Sequence, residues 1–308
     1  MSQYPTNLTD KQWQVTEIIL DPQHRKRKYS LRDIMDAIMY IVKTGCQWRM
    51  LPRDFPPFNT VFYDFNKWKL EGVFEELLDT LHVIVRRMAG REDTPNLGII
   101  DSRSIKSSHH VAPDRGIDGN KKIKGRKEHI VVDTLGLPMG VVVHEANIHD
   151  SVGAHSVIDA MQGCFLRLKK ILGAEFSVVL RPNESSKKFN VLPLRWIVER
   201  SFSWLESFRR IAMDYEFYSD TGEAMVQLAF CRQVFAELHP ALNPRPARRW
   251  PVIGNYENSS RHRIQTTNLH FIWRKSYFRF SVTNVYSNKQ ILLKNVESIQ
   301  TRPPVSIC

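Results

Sequence analysis

The sequence of 308 residues has few cysteines and no long apolar run. Its four cysteines (Cys46, Cys164, Cys231 and Cys308) lie far apart without CxxC spacing, which argues against a zinc site and a disulfide framework, so we expect reduced thiols. No run approaches the roughly 18 apolar residues that a membrane span needs. The first residues also lack a basic-then-apolar signal pattern. These absences predict a cytoplasmic protein without a membrane segment.

Acidic residues are fewer than basic residues in this sequence. The chain has 44 Lys and Arg against 32 Asp and Glu, a formal net charge of +12, which favours a polyanionic partner such as nucleic acid. From residue 240 onward eleven basic residues face two acids, a net charge of +9, so residues 1–239 carry only +3. Hydrophobic residues make up 42% of the sequence, enough for a folded protein with two domains.

Residues 8–88 have the pattern of amphipathic helices. Thr9 and Ser30 are predicted N-caps, and apolar residues at i, i+3, i+4 and i+7 spacing follow Ser30 until Gly45 ends the run. Several helices with a Pro-rich connector predict a helical DNA-binding domain of helix-turn-helix type over residues 1–90. The alternative is a helical bundle whose basic residues are merely solvated.

Candidate DNA contacts are basic residues near these helices and near a later strand. In such a domain one helix enters the major groove while flanking basic residues bind phosphates. The candidates are Arg25, Lys26, Arg27, Lys28, Lys67 and Lys69, with Trp68 between the last two, and Arg126 and Lys127.

A β region follows the helices. Leu97–Ile100 reads as a buried strand that ends at Asp101, and valine-rich runs at 130–132 and 140–143 flank an LGLP turn, which predicts a hairpin. The three strands are expected to be antiparallel. Further predicted elements are a helix capped at Ser151, short strands at 169–172 and 176–182, and a long helix over 191–217.

The long helix has two stripes. Ile197, Trp204, Phe208 and Ile211 form one that faces the core, and Arg195, Glu199, Phe202, Glu206 and Arg209 form the other. From the residues alone, Arg195 and Glu199 are an ordinary i, i+4 ion pair, worth a few tenths of a kcal/mol.

The motifs DSRSIK, GRKEHIVVDTLGLP, ANIHDS, RPNESSKKF and RWIVERSFSWLESFRR, in this order after a helical segment, resemble the DDE-type transposases of bacterial insertion sequences. The resemblance covers about residues 6–235. It implies an α/β (α+β) fold, in which an RNase H-like mixed-sheet core over 91–238 follows the N-terminal helical domain. It also implies two Mg²⁺ (or Mn²⁺) ions held by two Asp and one Glu. By position Asp101 is the first acid and Glu199 the last, and Arg195 holds a phosphate or orients Glu199.

The chain departs from this family at the helix and at the second acid. The family often has a Tyr and a Lys where this chain has Leu192 and Glu206. Its second Asp normally follows a strand, in a stretch resembling ADGGY, with a helix leading to the next strand. Here only residues 173–175 separate the predicted strands at 169–172 and 176–182. A parallel crossover needs at least about 10–12 residues, so the sequence predicts an internal deletion, a truncated core and impaired catalysis.

Two other acids are possible substitutes for the missing second Asp. Asp133 lies at the predicted hairpin turn and Asp150 follows His149 at a strand end, and either would supply a carboxylate. The histidines have no spacing typical of a metal site. The four histidines considered are His109, His110, His149 and His155.

The basic tail over residues 239–308 has no helical period, so we expect it to pack poorly. Its aromatic and basic residues suit binding of single strands by stacking and charge. They are Trp273, Arg274, Lys275, Tyr277, Phe278 and Arg279. The alternative is downstream or frame-shifted sequence that was not selected to fold.

These patterns favour one function over two others. The first is a DNA transposase, a homo-oligomer acting on the double-stranded terminal repeats of its element, impaired in this copy. The second is a non-catalytic DNA-binding protein that recognises the element ends. The third is a two-metal nuclease that uses Asp133 or Asp150.

Overall fold

The computed structural model describes residues 4–20, 27–109, 114–173 and 194–242, with side chains to residue 236. By packing, the chain divides into two units, Met1–Phe235 and Ala236–Cys308. Several predictions fall outside the described residues: the contacts Arg25 and Lys26, the strand at 176–182, residues 174–175 of the deletion site that follows Leu172, and the tail beyond Leu242. Residues 239–242 of the predicted tail are the end of a helix. The described helices include none that is long and apolar enough to cross a membrane.

The prediction of helices over residues 8–88 is confirmed. They are α1 (Asp10–Leu20), α2 (Leu31–Thr44), a 3₁₀ turn (Trp48–Met50), α3 (Phe58–Leu70) and α4 (Val73–Met88). Thr9 and Gln12 cap α1 reciprocally, and the Ser30 hydroxyl accepts the Asp33 N–H at the start of α2. Gly72 separates α3 from α4 because its left-handed φ of +71° turns the chain.

The sheet has five strands in the described residues. They are β1 (Leu97–Lys106), β2 (Gly116–Asp118), β3 (Ile123–Val132), β4 (Pro138–Glu145) and β5 (Lys170–Leu172). Both β1 and β4 pair with β3 antiparallel, which confirms the hairpin and the three antiparallel strands. The short strand β2, which the sequence did not suggest, also pairs with β3, and β5 pairs with β1 in parallel. This mixed sheet after a helical segment fits the α/β (α+β), RNase H-like expectation.

Helices cover both faces of the sheet. They are α5 (Asp150–Ala160), α6 (Arg195–Leu205), α7 (Arg209–Ala212) and α8 (Ser219–Leu242). On one face Ile100 and Val131 form a buried cluster with Ala154 and Val157 of α5. Side chains alternate between faces along a strand, so Asp101, next to Ile100, points to the opposite face, where α6 packs.

Two predicted helix boundaries were wrong. The helix predicted over 191–217 ends at Leu205, and the chain turns before α7. The turn buries the Phe208 ring, with the Lys43 ammonium 4.3 Å from its centre. Helix α5 begins at Asp150 with His149 as its cap instead of Ser151, since the imidazole accepts the Ser151 N–H.

The N-terminal helices pack directly on the sheet and its helices. The Gln12 side chain donates to the Phe235 carbonyl at 3.2 Å, and the Lys69 ammonium lies 2.7 Å from the Asp220 carboxylate. These contacts place the N-terminal helices and the sheet in one compact unit that ends at Phe235. The functional boundaries near 90 and 238 stay predictions.

Candidate active site

The structure brings together the three residues that the sequence singled out for catalysis. A guanidinium nitrogen of Arg195 lies 3.4 Å from a carboxylate oxygen of Asp101, and its Nε lies 3.2 Å from an oxygen of Glu199. Asp101 is in the middle of β1, and the other two are one turn apart on α6. Arg195 therefore bridges the two acids, which come from positions 98 residues apart in the sequence.

The two acids differ in exposure. The Asp101 side chain is only 18% exposed, against 57% for Glu199. Burial raises the pKa of Asp101 above its ordinary value, while the Ser102 N–H and the Arg195 guanidinium lower it and Glu199 raises it. The Ser102 N–H and the Arg195 guanidinium both favour the charged form of this largely buried carboxylate.

Helix α6 is anchored to the turn between β3 and β4. Arg200 donates to the Leu135 carbonyl at 2.8 Å, and the Ser201 hydroxyl donates to the Gly136 carbonyl at 2.8 Å. The Arg200 guanidinium also lies 5.1 Å from each ring centre of Trp196 and Trp204. These contacts fix the helix that presents Glu199 to Asp101.

Asp133 lies inside this same turn and is fully buried. Its carboxylate accepts from Arg86 and contacts His82 of α4, and it also accepts the N–H of Leu135 and Leu137. Burial raises its pKa, but these partners outweigh burial and leave the pKa below its ordinary value. The oxygens of Asp133 are thus engaged by internal partners, away from the pair of Asp101 and Glu199.

Asp150 lies on the other side of the sheet from Asp101. It accepts from the Ser102 hydroxyl at 3.0 Å and pairs with Lys127 at 2.8 Å. Ser102 and Asp101 are neighbours on β1 and so point to opposite faces. Asp150 therefore belongs to the face that α5 covers and does not complete the pair of Asp101 and Glu199.

The predicted DNA contacts of the β region are not on the surface. Arg126 is buried, where it pairs with Asp114 and Asp214. Lys127 is also buried and pairs with Asp150. The structure uses both side chains internally, contrary to the surface role predicted for them.

The predicted contacts near α3 vary in exposure. Lys67 is partly exposed and close to Glu71, whereas Lys69 is engaged by Asp220 and Trp68 is buried in the core. Arg27 lies 3.9 Å from the buried Asp64 of α3. Lys28 is exposed and lies 5.4 Å from the centre of the Tyr29 ring. Of the three candidates on α3, Lys67 is therefore the most exposed.

The donors around Asp101 do not fit a pair of metal ions. In the described residues, no group of three or more His, Cys, Asp or Glu is arranged to hold a metal. Two hard cations need several carboxylate oxygens, whereas Asp101 and Glu199 have the Arg195 guanidinium between them. The departing position Leu192 lies outside the described residues, while Glu206 and Arg209 are exposed at the end of α6 and the start of α7.

Two family models match this chain. Residues 8–78 match a family described as "Putative transposase of IS4/5 family", and residues 92–173 and 177–233 match the "Transposase DDE domain". The second match is interrupted at the position where the sequence predicts a deletion.

One curated relative comes from Burkholderia cepacia and is described as "Putative transposase for insertion sequence element IS402". It is 26% identical over 129 residues, which cover 35% of this chain and 61% of that protein, so the chain spans less than two thirds of this relative. No solved structure matches. The two family models together match well over half of the chain, with the two acids and the arginine assembled inside the second. The chain belongs to the DDE-type transposases of the IS4/5 family of insertion sequences.

Proposed function

We propose that the protein is an insertion-sequence transposase that binds the ends of its element as duplex DNA and is impaired in strand cleavage. The observation that carries this proposal is the Asp101–Arg195–Glu199 assembly, which has the position and residue types for phosphodiester chemistry but, among the described residues, two acids where the family uses three. Binding of duplex DNA and loss of cleavage are separable outcomes.

The residues of the site have distinct roles in this proposal. Divalent metal ions, when bound in transposases of this kind, activate the attacking oxygen and stabilise the leaving oxygen. Asp101 and Glu199 would supply only two of the three carboxylates that hold such ions, and α6 sets the distance between the two. Arg195, which lies against both, offers a planar set of N–H donors to a DNA phosphate and keeps the acids oriented.

The proposal is tested with the full chain and a duplex that carries the DNA flanking its own gene. Affinity should fall steeply as salt rises from about 50 to 200 mM, because phosphate contacts by Lys and Arg release counterions. Strand cleavage with Mg²⁺ or Mn²⁺ should be absent or very weak. An affinity that does not change with salt concentration would refute the DNA-binding part of the proposal, and robust cleavage would refute the impairment. Light scattering with and without the duplex tests the homo-oligomer that the proposal includes.

A second candidate, a non-catalytic protein that recognises the element ends, is favoured by the completeness of the helical N-terminal part. Helices α1 to α4 are all formed, and the family match over 8–78 is uninterrupted. The two candidates differ in what happens when the missing segment is restored. Only the impaired transposase gains cleavage from it.

A further inference from the structure

The outward side of α3 carries a stripe of residues that helix stability does not explain. Its four members recur at i, i+4, i+7 and i+11, and they are Asn59, Tyr63, Asn66 and Leu70. Tyr63 is 69% exposed and Leu70 is 81% exposed. Asparagine is a poor helix former, and large apolar side chains that stay in water gain nothing from burial. The stripe therefore suits contact with something outside the chain.

Helix α3 is held firmly from its other side. The buried ring of Phe65 lies 5.1 Å from the Trp48 ring and 5.5 Å from the Phe74 ring, measured between ring centres. Near the end of the helix, the Lys69 ammonium lies 2.7 Å from the Asp220 carboxylate. These contacts fix which side of α3 faces outward, so the stripe is presented on a rigid support.

Basic residues flank the stripe on both sides. Successive residues turn by about 100° around a helix, which puts Lys67 and Phe58 on opposite sides of Asn66. The Arg49 guanidinium lies 6.0 Å from the centre of the Phe58 ring, and Arg27 lies 3.9 Å from the buried carboxylate of α3, towards the Lys67 side. A helix in the major groove has a phosphate backbone on each side. The charges around the stripe match that arrangement.

Asn66 has the hydrogen-bonding groups to read a base. Its side chain is half-buried, and no described residue forms a hydrogen bond with it. The Asn59 carboxamide oxygen, by contrast, accepts the Thr60 N–H at 3.0 Å. A carboxamide offers an acceptor and a donor side by side, which match the N6 donor and the N7 acceptor of adenine in the major groove. Asn66 keeps both groups for a base.

We propose that α3 enters the major groove at the end of the element and that Asn66 reads an adenine there, with Asn59, Tyr63 and Leu70 against the neighbouring bases. This inference rests on the proposed function, because it requires that the chain binds duplex DNA. The major groove admits an α-helix, and apolar side chains such as Leu70 suit the methyl group of thymine. Sequence preference thus belongs to a stripe without a charged residue, and phosphate binding belongs to its flanks.

The test compares two duplexes, one carrying the DNA that flanks the gene and one scrambled, of equal length and composition. Fluorescence anisotropy with the full chain gives both affinities, and their ratio measures sequence preference. Asn66→Ala should lower this ratio by about 5- to 150-fold, the range for one lost bidentate base contact. Adenines of the flanking duplex are also replaced singly by 7-deazaadenine, which lacks the N7 acceptor. The replacement at the contacted adenine should weaken binding of the wild type and leave Asn66→Ala unaffected.

Two other variants are controls. Asn120→Ala removes an exposed carboxamide from the turn between β2 and β3 and should leave the ratio unchanged. Lys67→Gln removes a flanking charge, which lies 3.8 Å from Glu71 in an exposed pair. It should weaken binding to both duplexes equally and flatten the slope of log K against log salt by about 0.9. Asn66→Ala should not lower the temperature of thermal unfolding, because alanine is the better helix former.

The outcomes distinguish this inference from the proposed function. If the wild type binds in a salt-dependent way but Asn66→Ala keeps its ratio, or if the wild type binds both duplexes equally, the inference fails while duplex binding stands. An unchanged ratio together with an altered oligomeric state in light scattering would make the stripe a contact between copies of the chain and would also overturn the inference. A wild type without salt-dependent binding refutes the proposed function and this inference with it.

Discussion

The carboxylate of Asp133 is fully buried and contacts both Arg86 and His82 of α4. Replacing one partner of a buried ion pair leaves an uncompensated charge, which typically costs about 3–5 kcal/mol. We therefore expect Asp133→Ala to lower the free energy of unfolding by about that amount in urea titrations. Asp93→Ala is the control, since Asp93 pairs with Arg87 of the same helix but is 42% exposed, and it should cost less than about 1 kcal/mol. Similar losses in the two variants would contradict this account.

Glu223 of α8 gives a prediction about pH. Burial raises its pKa to about 7, although its carboxylate accepts the Val143 N–H at 2.8 Å. Between its unfolded pKa, about 4.5, and 7, the native state binds a proton that the unfolded state has released, so this group makes stability fall as pH rises. Glu223→Gln keeps an acceptor for Val143 and should remove this loss.

The measurement is the free energy of unfolding at pH 5 and at pH 8 for both proteins. We expect Glu223→Gln to gain about 1–3 kcal/mol over the wild type at pH 8 and little at pH 5. Other buried acids, such as Asp36 of α2, whose pKa is raised to about 6, titrate in both proteins and cancel in the difference. A gain of equal size at both pH values would show that the proton is not its cause.

At the residue scale, the sequence predicts the position of a side chain correctly where only one environment in the fold suits that side chain. Asp101 follows a run of buried β-branched residues, so its place on a strand was predictable, and its approach to Glu199 followed from the family resemblance. The burial of Arg126 and Lys127 was not predictable. Charged residues on a strand are expected to be exposed unless both faces of the sheet are known to be covered. The fold covers both faces, and the charges pair internally.

At the scale of elements, local signals explain which helices were predictable. Helix α2 has a Ser cap, an apolar stripe and a glycine stop, so its bounds were predicted almost to the residue. The helical period also continues through residues 206–208, but the chain turns there because Phe208 is buried against Lys43 of α2. That partner is distant in sequence. Tertiary contact overrode local propensity at this turn.

Two glycines with the same φ allow the stability cost of a left-handed backbone to be distinguished from the cost of disturbed packing. Gly45 and Gly72 both have φ of +71°, but a Cβ on Gly45 would lie 3.0 Å from the Arg209 Cβ of α7, whereas nothing lies within 4 Å at Gly72. We expect Gly72→Ala to cost about 1–2 kcal/mol for the left-handed angle alone. Gly45→Ala should cost more in the same urea titration, because α2 and α7 must also separate. A Gly72→Ala loss as large as that of Gly45→Ala would contradict the packing argument.

At the scale of the whole molecule, the proposed deletion predicts a gain of function. Inserting a strand end, an Asp and a crossover helix of at least about 10–12 residues after Leu172 should restore Mg²⁺-dependent cleavage of the flanking duplex. The reason is that β5 already runs parallel to β1 and ends opposite Ile99, so an acid two residues further on would lie opposite Asp101. Gel analysis of end-labelled DNA measures the product.

Asp101→Ala in the restored chain is the control and should abolish the regained cleavage. Cleavage by the unmodified chain would contradict the deletion account. If that activity were lost specifically in Asp150→Ala or Asp133→Ala, the residue concerned would be the substitute acid, against the positions described here. An insertion of equal length that carries Asn for the new Asp separates restored chemistry from restored folding.

The contacts of Asp133 with His82 and Arg86 of α4 also limit the chimeras that can be made between this protein and its relatives. A chimera that takes its first 90 residues from another transposase would meet Asp133 with whatever that donor has at the positions of His82 and Arg86. If the donor residues did not pair with Asp133, its buried charge would have no partner from the first 90 residues. The turn that accepts from Arg200 and Ser201 would then be destabilised, and so would the helix that carries Glu199. Exchanging the first 90 residues of this chain therefore requires that the acid and its two partners be exchanged together.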